Sequence, residues 1–96
     1  MGGEVSSMVT KTAVIRNRDG IHVRPSTEII KAAQGYQGVV TLESKGITGD
    51  LSVMGLLMLG LTEGERVQIM VEGADELAMA KKLKKLFEKE WDFPRQ

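Results

Sequence analysis

The chain contains no cysteine, which excludes disulfides and thiolate metal centres. It holds a single histidine, too few for a histidine-based metal site. Charge of one sign is not in excess: 13 Lys and Arg residues balance 13 Asp and Glu. That balance argues against a dedicated nucleic-acid binder. No apolar run approaches the roughly 20 residues that span a bilayer. The most apolar stretch, Leu51 to Leu61, is interrupted by Ser52, Gly55 and Gly60. The start, Met1-Gly2-Gly3-Glu4, lacks the basic and apolar regions of a signal peptide, so residues 1–7 read as a flexible leader. There is no internal repeat, no low-complexity tract and no Gly-x-x-x-x-Gly-Lys-Ser/Thr loop for a nucleotide. No cofactor is implied. The expectation is a soluble cytoplasmic domain.

What remains is 96 residues, 42% of them hydrophobic, enough for one modest core. The one histidine stands in Gly20-Ile21-His22-Val23-Arg24-Pro25-Ser26. Imidazole titrates near neutrality, so part of it is always available as a nucleophile. Arg24 places a guanidinium two residues on. Pro25 is favoured in the first turn of a helix, where its missing N–H costs nothing. The run Ser26 to Ala33 then reads as a helix over 25–34, closed by Gly35, with Ile29, Ile30 and Ala33 on one face. Positions 21 to 24 offer no Ser, Thr, Asp or Asn as a cap, so the N–H groups there are available to an anion. The plain alternative is that His22 only caps or packs at a turn. The order Gly-apolar-His-x-Arg-Pro weighs against it. Average residue usage puts its chance occurrence on the order of one in 100,000 per position or rarer.

The segment Asn17-Arg18-Asp19-Gly20-Ile21-His22-Val23-Arg24-Pro25 resembles the active-site segment of HPr, the histidine-containing phosphocarrier family of the bacterial phosphotransferase system. Asn17 matches an asparagine often found three residues before the glycine. A second segment, Asp50-Leu51-Ser52-Val53-Met54-Gly55, is similar to the family's serine region. Together the likeness covers about residues 8 to 90. It implies a phosphoryl group accepted on His22 from enzyme I and passed to a sugar-specific enzyme IIA. Arg24 would stabilise that group, and the backbone around Val23, Arg24, Pro25 and Ser26 would add donors. Such a chain is a carrier rather than an enzyme.

The rest of the pattern agrees. Val9 to Ile15 is rich in β-branched residues and reads as a strand. Asn17 to Gly20 is a turn, Val39 to Glu43 a second strand, and Ser44-Lys45-Gly46 a turn into a third strand starting at Ile47. Ser52 is a good N-cap for a short helix to about Leu59. Arg66 to Val71 alternates as a half-buried strand that Gly73 breaks. Asp75 to about Glu90 is amphipathic, with an apolar stripe of Leu77, Ala80, Leu83, Leu86 and Phe87. The order β-α-β-β-α-β-α predicts an α+β fold, an open-faced β-sandwich with helices on one face of four strands. The resemblance makes that sheet antiparallel and puts both motifs near one end. The expected domain is 8–91, with a tail at 92–96.

Val53, Met54, Leu56, Leu57 and Met58 exceed what one buried stripe of a short helix needs, so some should be exposed. The resemblance assigns Val53, Met54 and Leu57 to the docking of enzyme I and enzyme IIA. The alternative is that they all pack inward. Ser52 is either a plain cap or a regulatory site, the latter bringing in a serine kinase/phosphorylase and a transcription regulator. The competing functions are a regulatory module acting through Ser52, a nitrogen-related carrier, a dihydroxyacetone-linked one, and a small phosphohydrolase, against which the few acid/base groups around His22 argue. Lys81, Lys82, Lys84 and Lys85 read as a solvated face whose charge suits a helix C-terminus. Trp91 and Phe93 read as a cover for the core's edge. A monomer is expected.

Overall fold

A computed structural model describes residues 8–91. Residues 1–7, expected as a leader, and 92–96, expected as a tail and including Phe93, lie outside the described residues. The elements run β1 (Val9–Val14), α1 (Val23–Ala32), β2 (Gly38–Ser44), β3 (Ile47–Asp50), α2 (Val53–Leu59), β4 (Arg66–Gly73) and α3 (Glu76–Phe87). The four strands lie in the order β1-β4-β2-β3, and every pairing is antiparallel. This is the expected α+β open-faced sandwich.

β4 shows why the sheet has one covered face. Val67, Ile69 and Val71 are buried, while Arg66 and Gln68 stay exposed, as a period of two requires. β2 adds Leu42 and β1 adds Ala13 to the same apolar side. Onto it α3 brings Ala80, Leu83 and Phe87, and α2 brings Leu56 and Leu59. Each fully buried leucine or phenylalanine stabilises the fold by about 1.5–3 kcal/mol. α3 lies on β1 and β4, α2 lies beside β3, and α1 packs against both other helices through a face that includes Ile29.

Several boundaries differ from the sequence expectation. α1 covers 23–32 rather than 25–34. Pro25 is its third residue, still inside the turn whose N–H groups have no intrahelical acceptor, so proline there marks the first turn and not its first residue. The far end closes early because Ala33 and Gln34 make tight i→i+3 bonds to Ile30 and Lys31. Gly73 does not break β4 but pairs with Gly38 as its last residue. β1 ends at Val14, and β2 gains Gly38 and Ser44 at its ends. α3 covers 76–87 rather than 75–90. Beyond Phe87 the chain leaves the helix, and the Trp91 N–H reaches Asn17 Oδ1 at 2.8 Å. Leu77 falls off the buried stripe and is exposed, whereas Met79 packs against the core. Trp91 also packs against it.

The lysine-rich face is mostly solvated, with two of its lysines engaged. Lys82 Nζ donates to the Ala32 carbonyl at 2.9 Å and so satisfies the C-terminal end of α1. Lys84 pairs with Glu88 at 2.8 Å.

Candidate functional site

Three loops meet where β1 ends and β4 begins. Ile15 N–H donates to the Glu65 carbonyl, and Gly64 N–H returns to the Ile15 carbonyl, at 2.8 and 2.7 Å. Ile21 N–H donates to the Leu61 carbonyl at 3.0 Å. Lys45, from the β2–β3 turn, donates to the Gly60 carbonyl at 3.1 Å and to Glu65 Oε1 at 2.9 Å. Glu65 also accepts from the Thr62 N–H at 2.8 Å. That backbone bond, then the Lys45 ammonium, holds the Glu65 carboxyl below the usual carboxylate range. The loop from 15 to 22 is thus bolted at both ends to the loop from 60 to 65.

Within it, Asn17 is buried and its amide is used at both ends. Nδ2 donates to the Gly20 carbonyl at 2.7 Å, and Oδ1 accepts from Trp91 N–H. Gly20 N–H closes the turn onto the Asn17 carbonyl at 2.9 Å. The chain then emerges with Ile21 buried and His22 exposed.

His22 is the N-cap of α1, in extended conformation, and its side chain makes no capping hydrogen bond. The imidazole is therefore neither spent on the helix nor packed in a core. Its carbonyl accepts from the Ser26 N–H at 2.9 Å. That bond commits the Ser26 amide, and Pro25 has none to give. The expected donor set of residues 23 to 26 accordingly narrows to the residues ahead of Pro25. Both Pro25 and Ser26 are buried, whereas Val23 and Arg24 are exposed.

α2 is capped by Ser52 at its start and by Gly60 at its end, where the Gly60 carbonyl accepts from Lys45. Its seven residues span about 10 Å, so Ser52 stands one helix length back from the three-loop end. Ser52 Oγ accepts from Gly55 N–H at 2.9 Å and donates to Asp50 Oδ1 at 2.6 Å. Leu56 and Leu59 are buried, and the other side of the helix is left outside. Val53 and Leu57 are partly exposed at 38% and 42%, Met54 and Met58 at 67% and 68%. Inward packing of all five apolar residues is thereby excluded. Met58 shares the exposed side of α2 with Val53, Met54 and Leu57, the residues that the resemblance assigns to docking, and Val23 is exposed at the start of α1. Residue spacing could have found Met58, which follows Met54 by one turn. Nothing local announces the partner of Asn17, 74 residues away.

Among the described residues no helix is long and apolar enough to cross a membrane, and no acidic, histidine or cysteine cluster could hold a metal ion.

Comparison with known proteins gives the same picture. The family described as "PTS HPr component phosphorylation site" matches residues 9–89. The phosphocarrier protein HPr of Borreliella burgdorferi is 39% identical over 83 residues, covering 84% of this chain and 95% of that one. The phosphocarrier protein HPr of Treponema pallidum is 31% identical over 86 residues, covering 88% and 98%. A crystal structure of the phosphocarrier protein HPr from Bacillus anthracis superposes with a TM-score of 0.80 at 24% identity, covering 85% of this chain and 99% of that one, and supports the fold. With an exposed histidine at a helix start, an antiparallel open-faced sandwich and a family match across nearly every described residue, the chain belongs to the HPr family of phosphocarrier proteins of the phosphotransferase system.

Proposed function

We propose that this chain accepts a phosphoryl group on His22 from phosphorylated enzyme I and hands it to a sugar-specific enzyme IIA, working as a cytoplasmic monomer. The observation that carries this is the exposed His22 imidazole at the N-cap of α1, free of any capping bond. A ring nitrogen attacks phosphorus as the donor histidine's nitrogen–phosphorus bond breaks. Transfer to the acceptor reverses the roles. No water or nucleotide enters, so the protein's share is position and charge. The helix start favours negative charge, and Arg24 in the first turn supplies a charge-assisted donor. Incubation with phosphoenolpyruvate and enzyme I, read by intact mass, tests the reading.

Arg24 is exposed, so Arg24→Ala should shift stability by within about 0.5 kcal/mol. Loss of a charged hydrogen bond to the phosphoryl group should slow transfer about tenfold. Stopped-flow transfer and a thermal melt separate the two effects. Normal transfer with a large loss of stability would make Arg24 a structural residue.

The exposed side of α2, Val53, Met54 and Leu57 with Met58, is the docking surface in this reading. A methionine-bearing face adapts to more than one partner. Ser52 at its edge supports a second, regulatory reading through a serine kinase. Ser52→Asp keeps a good N-cap but loses the bond given to Asp50 and sets two carboxylates together. It should raise KM for transfer to His22 about fivefold through like-charge cost at the interface, with circular dichroism unchanged. Met54→Ala should raise KM as well. Unchanged kinetics in both variants would remove this face as the docking site.

A further inference from the structure

We propose that Asn17 is a positioning residue for phosphoryl transfer, tying the His22 loop to the C-terminal segment through one buried side-chain amide. The inference rests on the carrier reading of His22 for its kinetic part only.

The two bonds have different partners. Nδ2 holds the Gly20 carbonyl at 2.7 Å, two residues ahead of His22. Oδ1 holds the Trp91 N–H at 2.8 Å, beyond the end of α3. Asn17 is 5% exposed, so neither bond competes strongly with water. Its far partner is itself anchored. The Trp91 ring packs against the core, and Lys89 Nζ lies 4.3 Å from the ring centroid. On the near side, Ile21 N–H is held by Leu61, so the loop has little slack between Asn17 and the N-cap. A planar amide cannot rotate to follow one partner without leaving the other. Movement of the His22 loop is therefore transmitted to Trp91, and a loosened C-terminal segment loosens the loop.

The turn itself does not depend on the side chain. A turn from 17 to 20 is already closed by the Gly20 N–H to the Asn17 carbonyl. The side chain adds a second bond to the same turn and exports its position to the other end of the chain.

The test uses the full chain. Phosphoramidate phosphorylates histidine chemically and needs no partner protein. In 1H–15N spectra, phosphorylation of His22 should move the Trp91 backbone amide together with the Asn17 side-chain amide. In Asn17→Ala the Trp91 shift should fall at least threefold while His22 is still phosphorylated. With enzyme I as donor, Asn17→Ala should lower kcat about tenfold and leave KM within about twofold, because a displaced nucleophile costs rate and not docking. A Trp91 amide that does not move in the unaltered chain, or moves equally in Asn17→Ala, would overturn the proposal. So would unchanged kcat. If Asn17→Ala does not fold, Asn17→Asp, which keeps the acceptor for Trp91 and loses the donor for Gly20, takes its place with the same expected fall in kcat and the same overturning result. Failure of enzyme I to phosphorylate the unaltered chain would sink the carrier reading instead, and the phosphoramidate spectra would still decide the coupling.

Discussion

His22→Ala is expected to take up no phosphoryl group from phosphoenolpyruvate and enzyme I, while the unaltered chain takes up one. The side chain makes no capping bond and is exposed, so its removal leaves the core intact. Helix α1 keeps the bond from Ser26 N–H to the backbone carbonyl of residue 22. The melting temperature should change by no more than a few degrees, in line with an exposed substitution. The phosphorylated chain should lose its label in acid and keep it in alkali, as a phosphoramidate bond does and a phosphoserine does not. Mass spectrometry of the two proteins side by side decides the matter. Equal labelling of His22→Ala would move the acceptor to another residue, and acid-stable label would point to a hydroxyl such as that of Ser52.

The contrast between those two residues shows what the sequence carries and what it does not. Gly20 to Pro25 could be read as a reactive segment because its chemistry is local. A nucleophile, a cation and a helix start lie within six residues. Alternation in Arg66 to Val71 and the Ser52 cap were legible for the same reason, since a period of two or a hydroxyl at a helix start acts over a few bonds. Element ends were less legible because they depend on partners far away in the chain. α3 stops where the chain turns to Asn17, and β4 continues through Gly73 because Gly38 lies opposite. Leu77 matched the helical period, yet period alone does not say how far the sheet reaches beneath the helix. Asn17 fits the family motif, but its bond to Trp91 is a tertiary fact.

The largest structural effect is expected at Gly20. Its φ of +73° lies in the left-handed region, where a side chain costs about 1–2 kcal/mol. A Cβ added there would also overlap the Leu61 carbonyl oxygen, backbone that cannot rotate away. That oxygen accepts the Ile21 N–H at 3.0 Å, so relief of the overlap breaks the bond that seats the loop below His22. Overlap in a packed site adds about 1–3 kcal/mol. Gly20→Ala should thus destabilise the fold by about 3 kcal/mol, lowering the melting temperature by about 12 °C or more for a domain of this size. Gly35 supplies the control. Its φ is +78°, and a Cβ there meets nothing within 4 Å. Gly35→Ala should cost only the backbone penalty, about 1 kcal/mol. The difference between the two variants measures the Leu61 contact. Transfer to His22 should be slowed in Gly20→Ala, even well below its melting temperature, and left unchanged in Gly35→Ala. If the two variants melt within about 2 °C of each other and transfer at the same rate, the contact between the two loops does not position His22.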